Sequence, residues 1–167
     1  MNGMVKEFRP SELEKSARQL LIDRGVTMDD IADLVYHLQS NYHPSLSLDV
    51  CKLNVERVLS KREVQNAIIT GIQLDILAEK NLLMSPLQEI IEIDEGLYGV
   101  DEILALSIVN VYGSIGLTNF GYIDKMKPGI LEKLNKKTPG VVHTFLDDIV
   151  GAIAAAASSR LAHSEHE

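Results

Sequence analysis

Apolar side chains recur every three to four residues along most of the chain, which is the spacing of amphipathic α-helices. Thr27 and Ser47 are suitable N-caps for two of these stretches, and Gly25 ends the stretch before them. Only the short sequence GVVHTF alternates as a strand would. The pattern predicts helices over residues 12–24, 28–40, 48–59, 61–80, 86–92, 100–112, 122–134 and from 145 onward. We therefore predict an all-α protein, a single multihelical domain of about seven or eight helices with an apolar, small-residue-rich helical core.

Several helix boundaries carry weaker signals. The segment GSIGLTNFG, residues 113–121, is rich in glycine and polar residues and is predicted to be a loop. The helix over residues 122–134 is predicted to continue through Pro128. Side-chain caps are predicted at three further helix starts, by Ser60 with Glu63, by Ser85 with Gln88, and by Thr144.

The domain organisation follows from the polarity along the chain. Residues 1–59 form a more polar helical hairpin region, and residues 60–161 form the apolar core. No linker or repeat separates the two regions. We therefore expect residues 1–167 to form one domain.

Charge and cysteine content narrow the functional class. The chain has 24 acidic and 16 basic residues, which gives a net charge of −8. This balance argues against a nucleic-acid binder, including a helix-turn-helix regulator built from residues 27–59, because such proteins need a basic surface. Cys51 is the single cysteine, so no internal disulfide forms, as is usual in reducing compartments. Cys51 is expected to be a buried apolar side chain.

Secretion and membrane insertion are not expected. The first 15 residues are polar and lack the apolar centre of a signal peptide. The most apolar segment, residues 103–117, is interrupted by Ser107 and Asn110 and is shorter than the roughly 20 residues of a membrane span. We expect a cytoplasmic protein, with any membrane contact peripheral and at the inner face.

Acidic residues stand at the starts of the most apolar helices and in the turns beside them. A carboxylate at a helix N-terminus gains about 0.3–1 kcal/mol from the helix dipole, which accounts for any one of these residues alone. Several carboxylates gathered over an apolar core repel one another and are costly to desolvate. A hard divalent cation relieves both costs, and Mg²⁺ prefers such oxygen ligands. The predicted metal ligands are Asp94, Asp101, Glu102, Asp124, Asp147 and Asp148.

Basic residues near these acids suggest how a phosphate would be held. Lys127, in the sequence DKMKP, is either a phosphate ligand beside the metal or a solvated surface charge. Five lysines lie within residues 125–137; such a run is usually a solvated face, and here it could also steer an anionic headgroup. His143 is interpreted as a loop histidine near a helix cap rather than as a general acid.

Three motifs occur in a fixed order. They are D-x-G-x-x-x-x-D-E from Asp94 to Glu102, D-x-x-K-P from Asp124 to Pro128, and D-D-I-V starting at Asp147. In this order the motifs resemble the phosphatidylglycerophosphatase A family over about residues 60–160. The whole chain is similar to the short members of that family that lack transmembrane helices.

The resemblance implies a Mg²⁺-dependent phosphoric monoester hydrolase. Its substrate would be phosphatidylglycerophosphate, or a related phosphate monoester, and its lipid product phosphatidylglycerol. The implied catalytic residues, carried over from the motifs, are Asp101, Glu102, Asp124, Lys127, Asp147 and Asp148, with Asp94 as a further metal ligand.

Departures from the family pattern leave alternatives open. Membrane-bound members have spanning helices, and their upstream Pro-Gly-Thr motif is replaced here by LSKREVQNAIITG. A small soluble phosphate ester is therefore an alternative to a lipid substrate. The alternative to an enzyme is a non-enzymatic helical oligomer, in which the small-residue helix after Asp147 forms the interface and the acids are caps. A homo-oligomer is expected in both cases.

Overall fold

The computed structural model describes residues 10–164, and these form helices without any β-strand. The argument against a signal peptide concerns residues 1–15, of which residues 1–9 lie outside the described part. The helices are α1 (Pro10–Asp23), α2 (Met28–Gln39), α3 (Leu48–Leu59), α4 (Arg62–Glu79), α5 (Leu87–Glu92), α6 (Val100–Val109), a 3₁₀ turn (Asn110–Tyr112), α7 (Ser114–Met126), α8 (Ile130–Asn135) and α9 (Leu146–Ser164). The prediction of a single all-α domain is confirmed.

Helix α9 is the centre of the fold. Every residue from 146 to 159 is buried, and α2, α3, α6 and α7 all pack around it. Its alanines and glycine allow these neighbours to approach closely, and the buried apolar side chains supply the main stabilisation. The prediction that this small-residue helix forms an oligomer interface is wrong, because the helices of the same chain already cover it.

The N-terminal region is part of the same packed body. The Thr27 hydroxyl accepts a hydrogen bond from the backbone N–H of Asp30 at 3.1 Å, and the Ser47 hydroxyl accepts one from Val50 at 3.3 Å. Both predicted N-caps are therefore confirmed. Helix α1 packs on α4, and Cys51 on α3 is fully buried as predicted.

The predicted loop at residues 113–121 is wrong, because residues 114–121 belong to α7. Gly116 explains the difference. A Cβ atom at this position would lie 2.9 Å from Val109 Cγ1 and 3.4 Å from the Val109 carbonyl oxygen. Close packing on the end of α6 therefore selects a helix that the propensity of glycine disfavours.

The predicted continuous helix over residues 122–134 is also wrong. Helix α7 ends at Met126, and α8 starts at Ile130. Pro128 disfavours helical backbone at the residue before it, and Lys127 adopts a left-handed conformation with φ of 45°. The turn that results directs Lys127 away from the helix surface and toward the start of α9.

Two predicted capping boxes are replaced by tertiary contacts. The Ser60 hydroxyl donates to the Arg57 carbonyl at the end of α3, and α4 has no side-chain cap. The Gln88 side chain accepts from the Leu83 N–H and donates to the Ala78 carbonyl, so it joins α5 to the end of α4.

No helix within residues 10–164 is both long and apolar enough to cross a bilayer.

Candidate active site

The start of α9 is capped by a residue from another helix. Asp75, on α4, is fully buried, and its carboxylate accepts hydrogen bonds from the backbone N–H groups of Phe145 at 3.0 Å and Leu146 at 3.0 Å. The predicted cap by Thr144 is wrong, since its hydroxyl donates to the Ile91 carbonyl. Asp75 therefore fixes the position of the two aspartates that follow.

Close packing of α4 makes this cap possible. Gly71 lies one turn before Asp75 on the same helix face. A Cβ atom at position 71 would meet Ile149 Cδ1 and would lie 3.1 Å from Phe145 Cβ. The absence of a side chain thus lets α4 approach α9 until the Asp75 carboxylate reaches the backbone.

Lys127 binds two of the predicted site carboxylates. Its Nζ atom lies 3.0 Å from Asp124 Oδ1 and 3.4 Å from Asp147 Oδ2. Asp147 is buried, and its second oxygen, Oδ1, has no hydrogen-bond partner within the described part of the chain. Burial raises the pKa of Asp147, whereas the charge of Lys127 lowers it and the charge of Asp94 raises it. Asp147 is therefore a buried carboxylate with one free ligand atom.

Asp148 and Asp101 lie beside Asp147. Asp148 is buried, and burial raises its pKa; the negative charge of Asp147 and a hydrogen bond with Asp101 raise it further. Two adjacent carboxyl groups are stable when they share one proton. Asp101 is also buried, on the same side of α6 as Ala105 and Ile108.

Asp94 completes the acidic group from the turn after α5. It has a left-handed backbone, with φ of 54°, which aspartate tolerates better than most residues. Partial burial raises the pKa of Asp94, and the charge of Asp101 adds to this effect, while Lys137 and Lys127 lower it. Glu102 is not part of the group: its side chain is exposed on α6, about 100° around the helix from Asp101.

The donor set has the chemistry that Mg²⁺ requires. The group offers carboxylate oxygens, and the buried, unpartnered Asp147 Oδ1 is the clearest vacant ligand atom among them. Across residues 10–164, no three His, Cys, Asp or Glu side chains are grouped closely enough to surround one ion. Mg²⁺ in phosphate sites commonly takes only one or two carboxylates, with water and phosphate as its other ligands. The residues fit an ion of that kind.

A cleft opens next to the acidic group. It has a volume of about 590 Å³, and Asp94 and Asp147 both line it. The loop between α8 and α9 also lines the cleft, including Lys136, Lys137 and His143. The cleft is large enough for a small organic ligand beside a phosphate at the carboxylates.

One half-buried ion pair holds that loop in place. The Arg24 guanidinium bonds the Glu79 carboxylate and donates to the Val142 carbonyl at 2.7 Å, and Glu79 accepts from the Val142 N–H at 2.8 Å. The His143 ring nitrogen Nδ1 lies 3.2 Å from the Leu134 carbonyl, and burial lowers its pKa. This position agrees with its interpretation as a loop histidine.

The profile of the phosphatidylglycerophosphatase A family matches residues 24–163, a range that contains the whole site. The chain belongs to this family. The motifs that carry the resemblance in sequence therefore lie on α6, α7 and α9 of a phosphatidylglycerophosphatase A family fold.

Several relatives are similar to this chain in sequence and in structure. YutG of Bacillus subtilis, an uncharacterised protein, is 67% identical over 153 residues, which are 92% of this chain and 92% of that protein. The crystal structure of the low temperature requirement C protein of Listeria monocytogenes is 71% identical with a TM-score of 0.93, covering 95% of this chain and 100% of that chain. A protein of unknown function from Bacillus stearothermophilus is 72% identical with a TM-score of 0.89, covering 91% and 94%.

Sequence reasoning missed Asp75 and the position of Lys137 in the lining of the cleft. Asp75 had a usable signal, because it is an acid at an apolar position of α4, four residues after Gly71 and three after Ile72. The period of the helix places these three residues on one buried face. Lys137 had no such signal, since nothing in the lysine run separates it from its neighbours.

Proposed function

We propose that this member of the phosphatidylglycerophosphatase A family is a Mg²⁺-dependent phosphatase that removes the terminal phosphate of phosphatidylglycerophosphate. The observation that carries the proposal is the free, buried Oδ1 of Asp147 beside Lys127 and Asp148. Removing a hydrogen-bond partner from a buried carboxylate is costly, so a vacant oxygen at this place calls for a ligand.

The metal would be held by Asp147 together with the nearby Asp124 or Asp94. When bound, Mg²⁺ supplies positive charge to the phosphate oxygens. Lys127 favours the charged form of Asp147 and positions Asp124 and Asp147, because its ammonium group contacts both carboxylates. Asp148, whose pKa is raised by burial and by the charge of Asp147, holds a proton next to this group. A neutral acid in that position can donate a proton to a departing alcohol.

Phosphate release tests the proposal directly. Phosphatidylglycerophosphate in detergent micelles would be incubated with the protein, in Mg²⁺ and in chelator, and inorganic phosphate measured. We expect release only with Mg²⁺. Glycerol 3-phosphate, tested in parallel, distinguishes a lipid phosphatase from one that acts on small soluble esters. Absence of release from both compounds in millimolar Mg²⁺ would overturn the proposal.

Thermal unfolding provides a second readout. A ligand that binds only the folded state stabilises it by about 2.7 kcal/mol at 100 times its Kd. We therefore expect Mg²⁺ to raise the melting temperature relative to chelator, and the Asp147→Asn variant to lose most of this increase. Equal melting curves in Mg²⁺ and chelator would contradict a metal site in the folded protein.

Peripheral contact with a membrane is part of the proposal for a lipid substrate. Exposed apolar side chains lie within three residues in sequence of Asp94, Asp101 and Lys127; they are Leu97, Ile103 and Met126. Such side chains can enter the headgroup region of a bilayer. Sedimentation with phospholipid vesicles tests this contact. The homo-oligomer stays a prediction, which light scattering tests.

A further inference from the structure

The lysines near the site fall into two classes. Lys127 is paired with carboxylates, because its Nζ contacts Asp124 and Asp147. The Nζ of Lys137 donates one hydrogen bond, to the Ile93 carbonyl at 3.2 Å, and forms no ion pair within residues 10–164. Two of its three donors are thus available. The bond to Ile93, which precedes Asp94, holds this ammonium group close to the acidic group.

The cleft brings Lys137 and the site together. Lys136 and Lys137 line the same 590 Å³ cleft as Asp94 and Asp147, whereas Lys133 does not. A ligand whose phosphate lies at the carboxylates would therefore extend into a space bordered by two ammonium groups. The lysines of this run therefore have different surroundings. Lys136 and Lys137 line the cleft, whereas Lys127 forms ion pairs with Asp124 and Asp147.

Glu79, Glu92, Asp94 and Asp147 also line the cleft, so the positive charge is confined to the part of the lining that Lys136 and Lys137 form. Glu79 is neutralised by Arg24, to which it is bonded through both oxygens. Glu92 is exposed at the edge of the cleft and lies 3.4 Å from Gln88 Nε2. The wall formed by Lys136 and Lys137 therefore offers positive charge to a ligand whose first anionic group is already bound.

We propose that Lys137, assisted by Lys136, binds a second anionic group of the substrate, so that the site prefers phosphate monoesters that carry one. The inference rests on the proposed function for the position of the first phosphate. It adds a specificity-determining residue outside the three motifs. The alternative is that Lys137 is a solvated surface charge that contacts no ligand.

Calorimetry measures the preference without requiring turnover. Glycerol 3-phosphate and glycerol 1,3-bisphosphate would be titrated into the protein in Mg²⁺, and the ratio of their dissociation constants compared between variants. We expect the wild type to bind the bisphosphate more tightly. The Lys137→Gln variant should reduce this preference by up to about fivefold, the upper end of the effect of one exposed ionic contact. The reduction should shrink at high salt.

Matched variants decide between a binding and a structural role. Lys133→Gln removes an exposed lysine of the same segment and should leave the ratio unchanged, while Lys137→Arg should restore most of it. An unchanged ratio in Lys137→Gln, equal binding of the two compounds by the wild type, or binding of neither would overturn the inference. A Lys137-dependent preference without phosphate release would overturn the phosphatase activity and leave the inference standing. Phosphate release without such a preference would overturn the inference and leave the phosphatase activity standing.

Discussion

Acidic side chains occupy two contrasting regions of the molecule. On the α1–α3 side, Glu14 and Glu56 both contact the Arg18 guanidinium, at 2.8 Å and 2.5 Å, and their side chains are 32% and 48% exposed. At the start of α9, Asp147 is 9% exposed and shares one lysine with Asp124. Asp148 forms no ion pair of its own in the part of the chain that the structure describes.

This difference separates carboxylates that form ion pairs within the fold from the carboxylates that we propose bind a ligand. An exposed pair such as that of Arg18 contributes about 0–1 kcal/mol and has no need of another partner. Buried carboxylates that outnumber their cations lower the stability of the fold, since desolvation and repulsion both act against them. Perturbed groups of this kind concentrate at functional sites. The predictions below test this division.

The largest effect is expected for Asp147→Asn. The variant removes one negative ligand atom but keeps the size and hydrogen-bonding capacity of the side chain. We expect phosphate release to fall by about 100-fold. Stability in chelator should be equal or higher, because one source of repulsion is removed. Kinetic assays and thermal melts of the same preparation measure both; full activity would show that Asp147 has no role in the reaction.

Lys127→Met is expected to have the next largest effect. Without the ammonium group, Asp147 and Asp124 lose their shared cation, and the pKa of Asp147 rises further. We expect activity to fall about tenfold on both a lipid phosphate and a soluble ester. The rising limb of the pH–rate profile should move to higher pH, since deprotonation of Asp147 then needs more alkaline solution.

The control for this variant is Lys133→Gln, which removes a lysine outside the cleft. A profile of unchanged shape in Lys127→Met would assign Lys127 to the phosphate itself rather than to the carboxylates. Lys127→Arg should recover part of the activity and the original profile.

Stability in chelator should depend on pH through Asp75. Burial raises the pKa of Asp75 from 3.8 to about 8, against the lowering effects of the Phe145 and Leu146 N–H groups and of Arg24. Between these values the folded protein holds a proton that the unfolded chain releases. The free energy of unfolding therefore falls as pH rises, by up to about 1.4 kcal/mol per pH unit for this group.

The comparison of the wild type with Asp75→Asn between pH 7 and pH 8 isolates this effect, because Asp147 and Asp148, whose pKa values burial also raises, contribute a decrease in both proteins. Burial lowers the pKa of His143 from 6.5, so this group makes the free energy of unfolding rise with pH below that value. The pKa of Glu79 is lowered from 4.5, so this group affects the free energy of unfolding only below that pH. Chemical denaturation at both pH values should show the decrease in the wild type and a smaller one in Asp75→Asn. A free energy of unfolding that rises over this range would contradict a raised pKa at Asp75.

Local signals made part of the fold predictable. Helices α2 and α3 begin where Thr27 and Ser47 predict, because an N-cap acts within its own turn. Helix α7 was not predictable in this way. Gly116 and Gly121 have low helix propensity, and the helix forms because Gly116 packs on Val109, a contact that the sequence does not specify.

The candidate site likewise contains residues that local sequence patterns predict and residues that only tertiary contacts identify. Asp101, Asp147 and Asp148 were predictable because acids before apolar helices are themselves a local pattern, and the three motifs placed them in one family. Asp75 acts on Phe145, 70 residues further along the chain. Glu102 was predicted to belong to the group, but the structure places its side chain on the exposed side of α6.

The smallest effect is expected for Glu56→Gln, which tests the other region. Arg18 retains its contact with Glu14 at 2.8 Å, so the guanidinium keeps a partner in the variant. Because Glu56 is 48% exposed, water solvates the new amide as well as it did the carboxylate. We expect the free energy of unfolding to change by less than about 1 kcal/mol and phosphate release to stay the same. Urea denaturation and the assay used for Asp147→Asn measure both. A loss of activity comparable to that of Asp147→Asn would mean that the two groups of carboxylates are coupled through the fold, and that burial alone does not identify the ones that bind the ligand.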